Sequence, residues 1–142
     1  MTVITCSGDC SLSHSLWDLA HREADAFKWY ESERCGYDVG PIAHREWSRR
    51  FWRLFCRHRR LEHVLGKRRI REFDEASFGS LRDPALHHSP VVRFVMQRFV
   101  DDGWENLHFM FWATGHGFAL TELRDILRVL DVNSVRFDPP WL

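Results

Sequence analysis

Lysine is almost missing from this 142-residue chain, with two among 20 basic residues, and glycine and proline are sparse at eight and five. So few turn-formers exclude a collagen-like or low-complexity chain. No apolar run approaches the roughly 18 residues of a membrane span, and the aromatic-rich stretch Phe109–Ala113 is far too short. Residues 1–10 carry no basic residue and no apolar segment of leader length, so no secretory signal is expected. Net charge is also absent, because 20 acidic residues balance the 20 basic ones. Disordered chains usually combine few aromatics with a large net charge, so disorder is not expected. Four cysteines are an even number, but a core of this size needs no disulfide staples. Reduced thiols and a cytoplasmic location are expected.

Aromatic residues are plentiful, with seven Trp and eleven Phe, and 44% of the chain is hydrophobic. Their spacing predicts one all-α domain over residues 1–142, made of four to five helices on a long N-terminal antiparallel hairpin. Leu16, Ala20, Glu23, Phe27 and Tyr30 recur at three or four, which predicts a helix from about Ser11 or Ser13 to Arg34 (11–34). Gly36 stops it and Pro41 suits the first position of the next helix. That second helix is expected over 42–65, with Trp47, Phe51, Leu54, Phe55, His58, Leu61 and Leu65 as its core stripe. Residues 67–88 read as an irregular link. Helices follow within 90–131, although Val92, Val95 and Val100 leave a strand open over 91–100. Residues 132–142 read as an extended tail whose Phe137 and Trp141 dock on the core.

Charge is strongly segregated. Residues Arg45–Arg71 hold eleven basic and two acidic residues, a formal +9, against −9 for the remainder. Arg49, Arg53, Arg57 and Arg60 fall on one helical face and Lys67-Arg68-Arg69 follows. Such a face holds phosphates or carboxylates bidentately, giving salt-sensitive binding of a nucleic-acid backbone or an acidic protein surface. Pairing with the acidic remainder of the same chain is the plainer explanation of the same pattern.

Metal-capable side chains give a second possibility. Cys6, Cys10 and His14 are spaced by four, with His21 or Cys35 available as a fourth zinc ligand. Asp18/His21 and Glu105/His108 are carboxylate–histidine pairs at i, i+3, and with Glu31 and Glu62 they suggest a di-iron arrangement inside a bundle. Catalysis finds less support. Cys35 sits at a helix C-terminus, which raises a thiol pKa, and Cys56 and His63 lie two turns apart on one helix. No phosphate loop, nucleophile elbow or paired-acid signature appears, so no catalytic residue is nominated.

Two local resemblances are present. Gly117–Leu127 resembles the second helix pair of MerR-type regulators, but Glu122 and Asp125 on the would-be recognition helix repel phosphate. Trp29, Ser32, Glu33, Gly36, Asp38, Gly40, Ala43 and Trp47 form the pattern W-x-x-S-E-x-x-G-x-D-x-G-x-x-A-x-x-x-W. It resembles a motif of uncharacterised bacterial helical domains over about 20 residues, and the resemblance implies no activity. Physically the motif reads as a hairpin corner: Asp38 caps the second helix, Ser32 and Glu33 brace the turn, and Trp29 packs against Trp47. The expected function is a non-enzymatic interaction module using Arg49, Arg53, Arg57, Arg60, Lys67, Arg68 and Arg69. The alternatives are a zinc or di-iron protein and a subunit of a homo-oligomer or larger assembly.

Overall fold

The computed structural model describes residues 12–87 and 89–141. It is mostly helical. Among the described residues there are six helices, α1 (Leu16–Cys35), α2 (Ile42–Val64), α3 (Pro84–His87), α4 (Pro90–Asp101), α5 (Asn106–Gly115) and α6 (Leu120–Leu130), with the longest link between α2 and α3. Two two-residue strands, β1 (Ser13–His14) and β2 (Arg69–Ile70), pair in parallel.

That pairing shifts the expected start of the first helix. Ser13 and His14 are drawn into the ladder with Arg69 and Ile70, and the His14 carbonyl accepts from Arg71 N–H at 2.9 Å. The helix therefore opens at Leu16, and its first amide is capped from elsewhere in the chain. The Glu72 carboxylate accepts from Leu16 N–H at 2.6 Å and from the Ser15 hydroxyl at 3.1 Å. An acidic group at a helix start satisfies an orphan donor and complements the positive end of the dipole.

α1 ends where Gly36 takes a left-handed conformation (φ 79°) and its N–H returns to the Ser32 carbonyl at 2.9 Å. α1 and α2 then pack against one another more extensively than any other pair of elements. At the far end of α2, Gly66 turns the chain with φ 75°, and a Cβ there would lie 2.8 Å from Arg82 Nη1 and 3.3 Å from Gly79 Cα. Only glycine allows this crossing of two backbone segments.

The stretch read as an irregular link is in large part regular. It contains β2, 3₁₀ turns at Glu75–Ser77 and Ser80–Arg82, and α3. Residues 91–100 are helical. Ser89 caps α4 by accepting from Val91 N–H at 3.2 Å, Pro90 occupies its first turn, and Val91, Val92, Val95, Phe99 and Val100 face inward. Packing thus overrides the β-branched content. The C-terminal segment folds back over the α1/α2 side. The Phe137 carbonyl accepts from Trp52 Nε1 at 2.6 Å, and Trp141 Nε1 donates to Ser48 Oγ at 2.6 Å. The Phe137 ring sits edge-on to Trp17, and the Trp141 ring meets Trp47, His21 and His44.

The apolar stripe predicted for α2 is displaced around the helix. Phe51 and Leu54 are 37% and 38% exposed and His58 is exposed, whereas Trp52, Cys56, Arg57, Arg60 and His63 are buried. The physical reason is that α2 is covered by β2, α4, α6 and the Val132–Val135 turn as well as by α1. A central helix of this kind has no single inward stripe.

Candidate functional site

Arg57 and Arg60 are 5% and 1% exposed, so neither belongs to a solvent face, and this corrects the continuous arginine surface expected from their spacing. Each guanidinium is held by backbone carbonyls. Arg57 Nη1 donates to Phe99 O at 2.8 Å and Trp104 O at 2.7 Å, and its Nη2 pairs with the Glu105 carboxylate. Arg60 donates to Leu130 O (2.9 Å), Val129 O (2.8 Å) and Ser77 Oγ (3.1 Å). Both also lie over aromatic rings, Arg57 at 4.5 Å from Phe99 and Arg60 at 5.0 Å from Phe73. Burial pulls both pKa values below the ordinary arginine range. Glu105 opposes the shift at Arg57, as Asp74 does at Arg60. A guanidinium stays protonated through such a shift, so these are fixed internal cations.

The remaining basic residues divide into two sets. Arg59 and Arg68 approach Glu62 at 3.2 and 3.9 Å, and Arg69 pairs with Glu75 and stacks 4.0 Å from the Phe78 ring. Arg49 and Arg50 share Glu46 at 2.6 and 3.2 Å. Arg53 and Lys67 are exposed, and their side chains make no ion pair or hydrogen bond among the described residues. Much of the formal +9 of this segment is therefore matched inside the molecule.

The metal candidates are dispersed in the same way. Glu31 pairs with Arg34 at 2.8 Å, Glu62 with Arg59 and Arg68, and Glu105 with Arg57 and Arg136. His108 Nδ1 accepts from Glu105 N–H at 2.9 Å at the start of α5, and His21 packs its ring against Trp141. Glu31, Glu62 and Glu105 are thus committed to different arginines, and Asp18 is exposed on α1. Among the described residues no group of three or more His, Cys, Asp or Glu is placed to hold a metal. His14 lies in β1, while Cys6 and Cys10 are outside the described residues.

The two cysteines within the described residues differ sharply. Cys35 is exposed at the end of α1, while burial pushes the Cys56 thiol up to about 12. The histidine paired with Cys56 by spacing is fully buried and structural. His63 Nδ1 accepts from Ile70 N–H at 3.0 Å and Nε2 faces Asp74 O at 2.9 Å, which requires the neutral ring protonated at Nε2.

At the corner, Ser32 Oγ accepts from Val39 N–H at 3.2 Å, Asp38 accepts from Gly40 N–H at 2.9 Å, and Gly40 has φ 75°. Glu33 is exposed. Trp29 is 59% exposed and packs edge-on against Tyr30, whereas Trp47 is buried with Trp52, Phe55 and Trp141.

A cleft of about 670 Å³ lies at the hairpin corner, lined by Trp29, Ser32, Glu33 and Asp38, and two smaller concave surfaces involve α2. The first is an apolar groove of about 350 Å³ between α1 and α2, walled by Phe27, Tyr30, Phe51 and Leu54 with Trp47 and Phe55 at its floor. The second is a cleft of about 240 Å³ between α2 and the C-terminal segment, into which Arg53, Arg57 and Arg136 converge. The signal for the groove was the surplus of apolar residues on α2, two of which the fold leaves outside. No family model, no curated protein and no solved structure matches this chain. Among the described residues no helix is long and apolar enough to cross a membrane.

Proposed function

We propose that this protein is a non-enzymatic interaction module whose antiparallel α1/α2 hairpin docks an acidic, amphipathic segment of a partner protein. Side-chain pairings run in opposite senses along the two helices and support the hairpin: Trp17 meets Trp52 and Asp25 meets His44.

The observation that carries the function is the apolar groove set beside arginines on the outward side of α2. Phe51 and Leu54 line the groove, and Arg50 lies one helical turn before Leu54. Arg50 is exposed there and shares Glu46 with Arg49, and Arg59 and Glu23 also line the groove. Exposed apolar surface rimmed by charge marks protein interaction sites, and aromatic and arginine side chains dominate their energetics. A nucleic-acid backbone is the weaker fit. Arg57 and Arg60 are internal and Arg59, Arg68 and Arg69 already face carboxylates, so the remaining cations do not form an uninterrupted phosphate track.

The test is a titration of a labelled amphipathic helical peptide with a leucine stripe and a glutamate face. Leu54→Asp is expected to weaken binding about tenfold, and rising salt should weaken it further. Leu54 is already partly exposed, so the variant should fold. A folded Leu54→Asp protein with unchanged affinity would rule out the groove, and tighter binding to duplex DNA than to the peptide would return the function to nucleic acid.

A further inference from the structure

The cleft between α2 and the C-terminal segment shares no lining residue with the groove, and its chemistry is different. Three guanidiniums converge there from two elements: Arg53 and Arg57 from α2, and Arg136 from just after the Val132–Val135 turn. Trp52, Val132, Val135 and Phe137 form its apolar walls. The acids are fewer. Glu105 lies behind the cleft, where it takes Arg57 Nη2 and Arg136 Nη2, and Asp138 is an exposed carboxylate at the rim.

The donors still free decide what the cleft can take. Arg57 gives Nη1 to Phe99 O and Trp104 O and Nη2 to Glu105. Arg136 spends Nε on Asn133 and Nη2 on Glu105, which leaves Nη1. Arg53 spends nothing on any described residue. Three guanidiniums face two carboxylates, Glu105 and Asp138, so the cleft keeps a formal excess of one positive charge that an anion offsets. A carboxylate offers two oxygens, which a single guanidinium fork satisfies. A phosphate group offers three oxygens and about −1.5 to −2 charges at neutral pH, enough to engage two guanidiniums at once and offset the remaining positive excess.

We propose that this cleft is a phosphate-binding site, in which Arg53 and Arg136 grip the phosphoryl oxygens and buried Arg57 stands behind them as a fixed positive charge. Asp138 at the rim opposes the anion and limits its affinity. The apolar walls accept the group that carries the phosphate.

Inorganic phosphate, phenyl phosphate and benzoate, each titrated into the full chain, test the site. The Trp52 indole N–H resonance is the readout, because that indole lines the cleft and donates to Phe137 O. Saturable phosphate binding is expected, with affinity for phenyl phosphate about tenfold above that for benzoate. Arg53→Met and Arg136→Met should each weaken phenyl phosphate about tenfold, and Asp138→Asn should tighten it. Arg53 is exposed and unpartnered, so its variant tests binding without threatening the fold. Phenyl phosphate binding above inorganic phosphate identifies an organic phosphomonoester, and equal affinities identify the free ion. No saturable binding, benzoate binding as tightly as phenyl phosphate, or unchanged affinity in both arginine variants would overturn the site. None of these outcomes touches the groove, whose test reads Leu54.

Discussion

The guanidinium of Arg60 holds the carbonyl oxygen of Leu130 at 2.9 Å, across 70 residues of chain. Its Nη2 also takes Val129 O at 2.8 Å, so one side chain of α2 caps the C-terminal end of α6. The last carbonyls of a helix lack partners within it, and a cation there complements the dipole.

Removing that cap should be costly. Arg60→Met leaves buried carbonyls without donors, and a loss of about 3 kcal/mol in unfolding free energy is expected by analogy with breaking a buried charged pair. Arg60→Lys should not recover it, because an ammonium lacks the planar fork that reaches two carbonyls and Ser77 together. Urea denaturation of the two variants checks this, and wild-type stability in the lysine variant would refute it.

Glu72 plays the corresponding part at the start of α1, taking Leu16 N–H and the Ser15 hydroxyl. Glu72→Ala is expected to lower stability by about 1 kcal/mol, the usual value of a helix cap. Faster amide hydrogen exchange should be confined to the first turn of α1 and its β1 neighbour. Exchange that is unchanged at Leu16 would show that the cap does not form.

His63 links stability to pH. Burial lowers its pKa below the ordinary 6.5, with the Asp74 hydrogen bond opposing that shift. Between the lowered folded value and about 6.5 the unfolded chain binds a proton that the folded chain does not, so stability rises with pH in that window. His63 should therefore contribute a loss of stability as pH falls below about 6.5, and the loss should level off once the folded ring titrates. Following the His63 ring by NMR alongside denaturation midpoints tests this. A ring that titrates at or above 6.5 in the folded protein contradicts it.

Much of the helical layout was legible along the chain. The Gly36 stop, the Pro41–Ile42 start, the Ser89-Pro90 entry and the α6 repeat of Leu123, Ile126, Leu127 and Leu130 all rest on local rules of capping and periodicity. The pairing of Ser13–His14 with Arg69–Ile70 was not legible, because two-residue strands carry no periodic signal and meet only after α1 and α2 have folded. The candidate sites were less legible still. Arg53 and Arg57 differ by one helical turn and read alike in sequence, yet one is exposed and the other is sealed under Phe99 and Trp104.

The sequence by itself determined the end of α1 and the starts of α2 and α4, since caps and glycine stops follow from interactions within a few residues. It also determined the charge polarity of the chain. Only the tertiary structure decided what that charge does. It turned Arg57 and Arg60 inward to cap distant backbone, and it committed Glu31, Glu62 and Glu105 to separate arginines. It left Phe51, Leu54 and Arg53 outside. The reason is that α2 is packed on several sides at once, so burial of each of its residues depends on neighbours that helical spacing cannot specify.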